Sequence, residues 1–233
     1  MARPRRGRLR WWLLGGLAAL VILVVGGTWL YIHVIEGPAP APLSLKSAAG
    51  SGSGTAASGT VAGTWRVSSG SIVGYRVNEV LAGQAAVAVG RTSKVTGSLT
   101  ISGSTVRAAS FSVPMDTIKS NESERDVQFN GRIMQTATYP TGTLSLTAPI
   151  VLDALPADGV IKTYHATADL TLHGHTRKVT FPLSAERTAA GIDVSGSIPI
   201  LFADWDISNP SVGGFVTTQN HGLLEFLIKF SRS

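Results

Sequence analysis

An all-β, antiparallel domain of about eight strands, set behind one apolar helix and a flexible linker, is the architecture this sequence predicts. Three observations carry the expectation. From residue 64 onward apolar and polar side chains alternate with a period of two, segment after segment. That is the signature of half-buried strands rather than of helices. Ahead of that domain, residues 11–35 form a 25-residue run without a single Lys, Arg, Asp or Glu. Between the two, residues 36–63 are dominated by Pro, Ala, Gly and Ser and carry no periodicity.

Residues 1–10, "MARPRRGRLR", hold five arginines and no acid. The apolar run that follows would span about 37 Å as a helix at ~1.5 Å per residue, more than the ~30 Å hydrocarbon core of a bilayer. Trp11 and Trp12 stand at one end of it and Trp29 and Tyr31 near the other, where interfacial aromatics belong. A cleaved signal peptide is the competing reading. It would have a shorter apolar core and small residues at the cut, whereas prolines interrupt the small residues of "EGPAPAPLS". The expectation is therefore a single-pass transmembrane helix over 11–35 in the cell membrane, with residues 1–10 as a cytoplasmic basic tail and the remainder extracytoplasmic. The net charge of +6 follows the same division, since the five arginines precede the helix and the rest of the chain is nearly neutral. The basic balance is thus a topology signal, and a nucleic-acid surface is not expected.

Residues 36–63 cannot bury a core and read as a linker, stiffer where the prolines lie and flexible in "GSGSGTAASGT". The domain over 64–233 contains no cysteine, so disulfides, thiolate metal ligands and a cysteine nucleophile are excluded. Its strands alternate at Val73, Tyr75 and Val77, at Leu99 and Ile101, at Phe111, Val113 and Met115, and at Leu144 and Leu146. The pattern returns at Ala166, Ala168, Leu170 and Leu172, at Val179, Phe181 and Leu183, and at Leu224, Phe226, Ile228 and Phe230. The residues alone leave a sandwich and a closed barrel both open. Only "KSNESERDVQFNG" breaks the alternation; Asn121, with Glu124 three residues on, suggests the start of a short helix over 122–130.

The strongest chemical signal is "LTLHGHTRK", with His173 and His175 around Gly174. A zinc site needs further ligands, and His165 lies eight residues back, about 26 Å along a straight strand at ~3.3 Å per residue. The chain supplies its own comparison in "LTISGSTVR", residues 99–107, where Ser102 and Ser104 stand at the histidine positions. Both stretches read as hairpin turns, and replacing both histidines by serine is expected to leave the fold intact. No G-x-S-x-G elbow and no glycine-rich phosphate loop is present. Glu122, Glu124 and Asp126 read as a solvated helix face, and period two sets Asp204 and Asp206 opposite Trp205. No enzyme activity, metal or required cofactor is expected.

"GTWRVSSGSIVGYRVNE", "MDTIKSNESERD", "TYPTGTLSL" and "ADLTLHGHTRKVTFPL" together resemble the bacterial YceI-like proteins over residues 63–230. The matching features are Trp65, Ser71, Asp116-Thr117, Arg125-Asp126, Tyr139-Pro140, and "LTLHG" with Thr176 and Val179. The resemblance implies a lipocalin-like barrel that sequesters a polyisoprenoid, an isoprenoid quinone or a fatty-amide-like chain without chemistry. The inward apolar positions then become candidate ligand contacts, although core packing explains each of them too. They are Tyr75, Val77, Leu99, Ile101, Phe111, Val113, Met115, Phe129, Ile133, Met134, Leu144, Leu146, Leu170, Leu172, Phe181, Phe202, Trp205, Phe226 and Ile228. Phe129, Ile133 and Met134 are expected at the mouth, with Arg125 available to a head group or paired to Asp126 or Glu122. The chain departs from the family pattern in its anchor, in "ADWDISNPSVGGF" and in the small-residue stretch "LAGQAAVAVGRTSKVTG". The alternatives are a filled barrel serving as an envelope interaction protein and a redox module built on a bound quinone.

Overall fold

The computed structural model describes residues 6–30, 39–45, 60–81, 83–152, 158–214 and 216–233. Helix α1 runs over Arg6–Leu30. Among the described residues twelve strands follow, all paired antiparallel: β1 (Gly63–Val67), β2 (Ile72–Leu81), β3 (Gln84–Thr92), β4 (Thr96–Ser102), β5 (Thr105–Pro114), β6 (Thr141–Leu146), β7 (Ile150–Val151), β8 (Lys162–Leu172), β9 (His175–Thr188), β10 (Gly191–Leu201), β11 (Val216–Thr218) and β12 (His221–Arg232). Neighbours run β1-β4-β5-β6-β8-β9-β10-β12, and β12 returns to β1, which closes an eight-stranded barrel. The period-two pattern forms a barrel rather than a sandwich because this ring leaves neither of its terminal strands unpaired.

Three short pairings close the ring: Trp65 opposite Arg232, Arg66 opposite Ser231, and Val67 opposite Phe230. Farther along β12, residues 223–227 pair with β2 instead. The chain thus follows one edge of β12 twice and must skip four residues between the two stretches. Ser68 and Ser71 fill that gap. Ser68 N donates to Lys229 O at 2.8 Å. Ser71 Oγ donates to Ser68 O at 2.8 Å and accepts from Lys229 N at 2.9 Å. Ser71 is only 2% exposed, so this hydroxyl replaces a ladder bond that the irregular backbone cannot make.

The β2–β3 hairpin extends one wall past the ring, with β11 on its edge. At this end the chain also forms α2 (Ser123–Gln128), continued by a π turn over Phe129–Ile133. The helix expected over 122–130 is therefore shorter and ends differently. Its N-cap is Glu122, whose side chain caps nothing, while Asn121 Oδ1 accepts from Arg125 Nη1 at 2.8 Å. The opposite end carries the β4–β5 and β9–β10 turns. Asp204 and Asp206 do not alternate along a strand. Phe202–Trp205 is a 3₁₀ turn that buries both aromatics, and Asp206 follows in the left-handed region at φ 52°.

Two expectations about the N-terminal third meet new facts. In α1 the side chains of Trp12 and of residues 14–27 are described, and all are exposed. Among the described residues no helix is long and apolar enough to cross a membrane. The apolar run continues beyond α1 to Ile35, and residues 31–38 lie outside the described residues. Residues 39–45, expected as free linker, lie against the barrel's outer wall and are hydrogen-bonded to it by Arg76, Arg91 and Ser195.

Ser71→Ala leaves the Lys229 amide without its acceptor. It should lower unfolding stability by about 1–3 kcal/mol, read as a lower urea midpoint at unchanged m-value.

Candidate ligand-binding cavity

Strand parity fixes what faces inward. Tyr75, Val77 and Glu79 of β2 stand opposite Gly90, Ala88 and Ala86 of β3, and each opposed pair shares a face. The same rule turns Leu144 and Leu146, Leu170 and Leu172, and Phe226 and Ile228 into the barrel. The interior is not filled. One cavity of about 240 Å³ occupies the half near the β4–β5 turn, and a second of about 620 Å³ lies under α2 and the π turn. They share Gly74, Met115, Ile118, Leu172 and Leu224, so the two apolar spaces lie end to end against the same residues.

The residues expected at the ligand divide between these spaces. Leu99, Ile101, Phe111, Val113, Leu144, Leu146, Leu170, Phe181, Phe226 and Ile228 line the inner cavity. Tyr75, Val77, Arg125, Phe129, Ile133, Met134 and Phe202 line the outer one. Met115 and Leu172 line both. Trp205 lines neither. It is buried behind the wall, with its indole N–H donating to Leu170 O at 3.3 Å. Parity also puts Tyr164, Ala166, Ala168, Leu183, Val194 and Ile198 into the inner cavity, and simple extension of the same alternation finds them. The small residues of "LAGQAAVAVG" set the width of the outer cavity. Ala88 borders it, and a Cβ at Gly90 would come within 2.3 Å of the Tyr75 ring.

The outer cavity has a polar rim. Arg125 does not pair with Asp126 or Glu122 alone but reaches across to Glu79, with Nη2 3.2 Å from Oε1. Glu79 sits at the next inward position after Tyr75 and Val77, so parity could have found it. Glu122 and Glu124 border the same space, and the mouth therefore carries three carboxylates against one arginine. The π turn, closed by Met134 N donating to Phe129 O at 2.8 Å, brings the Phe129 ring onto Tyr75 with 5.2 Å between centroids. Burial pushes the Tyr75 phenol up to about 12; Arg125 works against the rise, and Asp126 and Glu79 add to it.

The two histidine-like turns differ in detail. His173 and Gly174 are the two central residues of one, both with positive φ (47° and 75°), as a type I′ hairpin requires. In the other, Gly103 and Ser104 are central and only Gly103 is positive, at 58°. The frames are thus offset by one residue, and His173 has no serine equivalent. It is 4% exposed, its Nδ1 lies 3.1 Å from Trp205 O, and it meets Tyr139 edge-on at 4.4 Å. His173 thus fastens the 3₁₀ turn to the hairpin, a contact that the expectation of two replaceable histidines did not include. Among the described residues no three His, Cys, Asp or Glu side chains are grouped to hold a metal.

The model of the YceI-like domain matches residues 56–230. The chain belongs to the YceI-like family. Among solved structures it is similar to a polyisoprenoid binding domain from Saccharophagus degradans implicated in plant cell wall breakdown. That likeness has a TM-score of 0.59 and 16% identity, covering 74% of this chain and 99% of the other. It is also similar to Burkholderia cenocepacia BcnA, with a TM-score of 0.55 and 19% identity over 70% of this chain and 98% of that one. At these identities the likeness establishes a shared fold. No curated protein matches the chain.

Two outcomes check this YceI-like interior. A tyrosinate absorbance titration should show one of the four tyrosines ionising late, and Tyr75→Phe should remove that step. Because the folded phenol holds its proton above the unfolded value of 10.0, stability is full below pH 10 and falls as pH rises from 10 toward 12. His173→Ser should cost about 1–3 kcal/mol by leaving Trp205 O unpaired, whereas His175→Ser should stay within about 0.5 kcal/mol. A chelator should change neither result.

Proposed function

We propose that this YceI-like protein is a membrane-anchored carrier that holds one long apolar chain inside its barrel: a polyisoprenoid, an isoprenoid quinone or a fatty amide. The observation that carries the reading is the pair of adjoining apolar cavities, of about 240 and 620 Å³. Each CH₂ moved from water into it contributes ~0.8 kcal/mol, so a long chain is held with few polar contacts. The structural likeness to a polyisoprenoid binding domain supports the same ligand class.

The rim refines the head group. Arg125 is already engaged by Glu79, and Glu122 and Glu124 stand beside it. A diphosphate would meet more negative than positive charge there. A neutral polar end, such as a quinone carbonyl or an amide, suits the Tyr75 phenol and the paired rim better. The mechanism is sequestration and release, with no bond made or broken.

The anchor belongs to the same reading. The five arginines, the charge-free run over 11–35 and the flanking aromatics support a single pass with an extracytoplasmic barrel. The apolar side chains exposed on α1, among them Leu14, Leu17, Ile22 and Leu23 at 59–72%, are what a bilayer would cover.

Organic extraction of the full-length protein followed by mass spectrometry should recover a long-chain lipid. Ala88→Leu, which fills the outer cavity, should reduce that recovery severalfold at a near-native melting temperature. A protein that neither yields such a lipid nor takes up an added isoprenoid quinone would sink the proposal.

A further inference from the structure

Glu225 is 4% exposed, yet it lies on the outer wall of the barrel, between the inward residues Leu224 and Phe226. The outer surface of a barrel faces water, so a buried carboxylate there needs a cover. Three residues in one row across three strands explain half of it. Arg91 of β3 stands opposite Gly74 of β2, and Gly74 stands opposite Glu225 of β12. Because Gly74 has no side chain, Arg91 crosses over it to reach Glu225, with Nη2 3.4 Å from Oε2. Arg76 closes on the other carboxylate oxygen at 2.7 Å.

The second half of the cover is residues 39–45. Both guanidinium groups use a further N–H on consecutive carbonyls of this segment: Arg76 Nη2 donates to Pro40 O at 2.6 Å, and Arg91 Nη2 to Ala41 O at 2.5 Å. The segment then crosses β12 toward β10, where Leu45 N donates to Ser195 Oγ at 3.1 Å. Ser195 is also 4% exposed on the outer face. Pro40 and Pro42 hold the segment extended, and as prolines they present carbonyls without amides that compete for them.

We propose that residues 39–45 form a docked strap, which fixes the barrel close to the membrane instead of leaving it on a loose tether. This rests on the anchor reading given above. Undocked, the 27 residues between Ile35 and the barrel could extend to about 90 Å. Docked at Pro40, only about five residues remain, a reach of roughly 17 Å. The wall of Arg76, Arg91 and Glu225 then stays near the bilayer. The mouth beyond Leu81 lies about another 17 Å along β2, within range of lipid.

The test uses full-length protein in vesicles of phosphatidylcholine and phosphatidylglycerol. Hydrogen exchange should show the amide of Leu45 protected. Ser195→Ala should speed exchange at Leu45 by tenfold or more. A strap variant, Pro40→Gly with Leu43→Ser and Leu45→Ser, leaves the barrel untouched and should release the amide at position 45. A dye on Ser102→Cys, the sole thiol, should move away from a labelled lipid in that variant and lower energy transfer. A wild-type Leu45 amide that exchanges freely would overturn the strap. A protected Leu45 amide with energy transfer unchanged on undocking would overturn its role in setting distance. Protein that washes off the vesicles with its strap still protected would instead overturn the anchor.

Discussion

Barrel closure depends on a single strand that serves two neighbours along one edge. β12 pairs with β1 at Val67 opposite Phe230 and with β2 at Ile72 opposite Leu227, and the chain between them is held by Ser68 and Ser71 on Lys229. Without that repair the β1–β12 contact would be three residue pairs ending in an unpaired amide. An open edge would expose the apolar interior, and the two adjoining cavities would become a cleft filled with water. The serine is thus a local backbone solution with a global consequence, because a lumen exists only in a closed ring.

Closure alone does not leave room for a ligand. An eight-stranded barrel is just wide enough for its own side chains to fill. Space appears where the inward residues are small: Ala88 on β3, Gly142 on β6, and Ala166 and Ala168 on β8. The π turn then supplies the lid over the wider half by setting Phe129 on Tyr75. The aromatics shape the space, and the alanines and glycines create it. Any substitution that restores ordinary barrel residues on β3 competes directly with a ligand for the same volume.

Much of this was legible in the sequence because strand parity has no freedom once one face is buried. Nineteen of the twenty residues singled out as ligand contacts border one of the two cavities. Trp205 is the exception, since its neighbourhood folds as a 3₁₀ turn and no period-two argument applies there. The contact made by His173 is hidden in the sequence for a related reason. "LTISGSTVR" and "LTLHGHTRK" match letter by letter, but their turns are offset by one residue, and only backbone φ reveals which residues are central. The strap could not be read at all. Its composition is that of a linker, and its docking depends on partners at Arg76, Arg91 and Ser195 that lie 36 to 150 residues away.

The polar groups of the wall separate into two rows that serve different ends. Inside, Glu79 and Arg125 pair at the rim, and with Glu122 and Glu124 beside them the mouth keeps an excess of negative charge that disfavours phosphate. Outside, Glu225 has two arginines rather than one. A buried carboxylate with a single partner would be complete in itself. With two, spare N–H donors remain, and the carbonyls of Pro40 and Ala41 accept from them at the edge of the wall. The excess of arginine over glutamate on that wall is therefore the physical reason the segment docks there. It also explains why a stretch with the composition of a loose tether is held in one place.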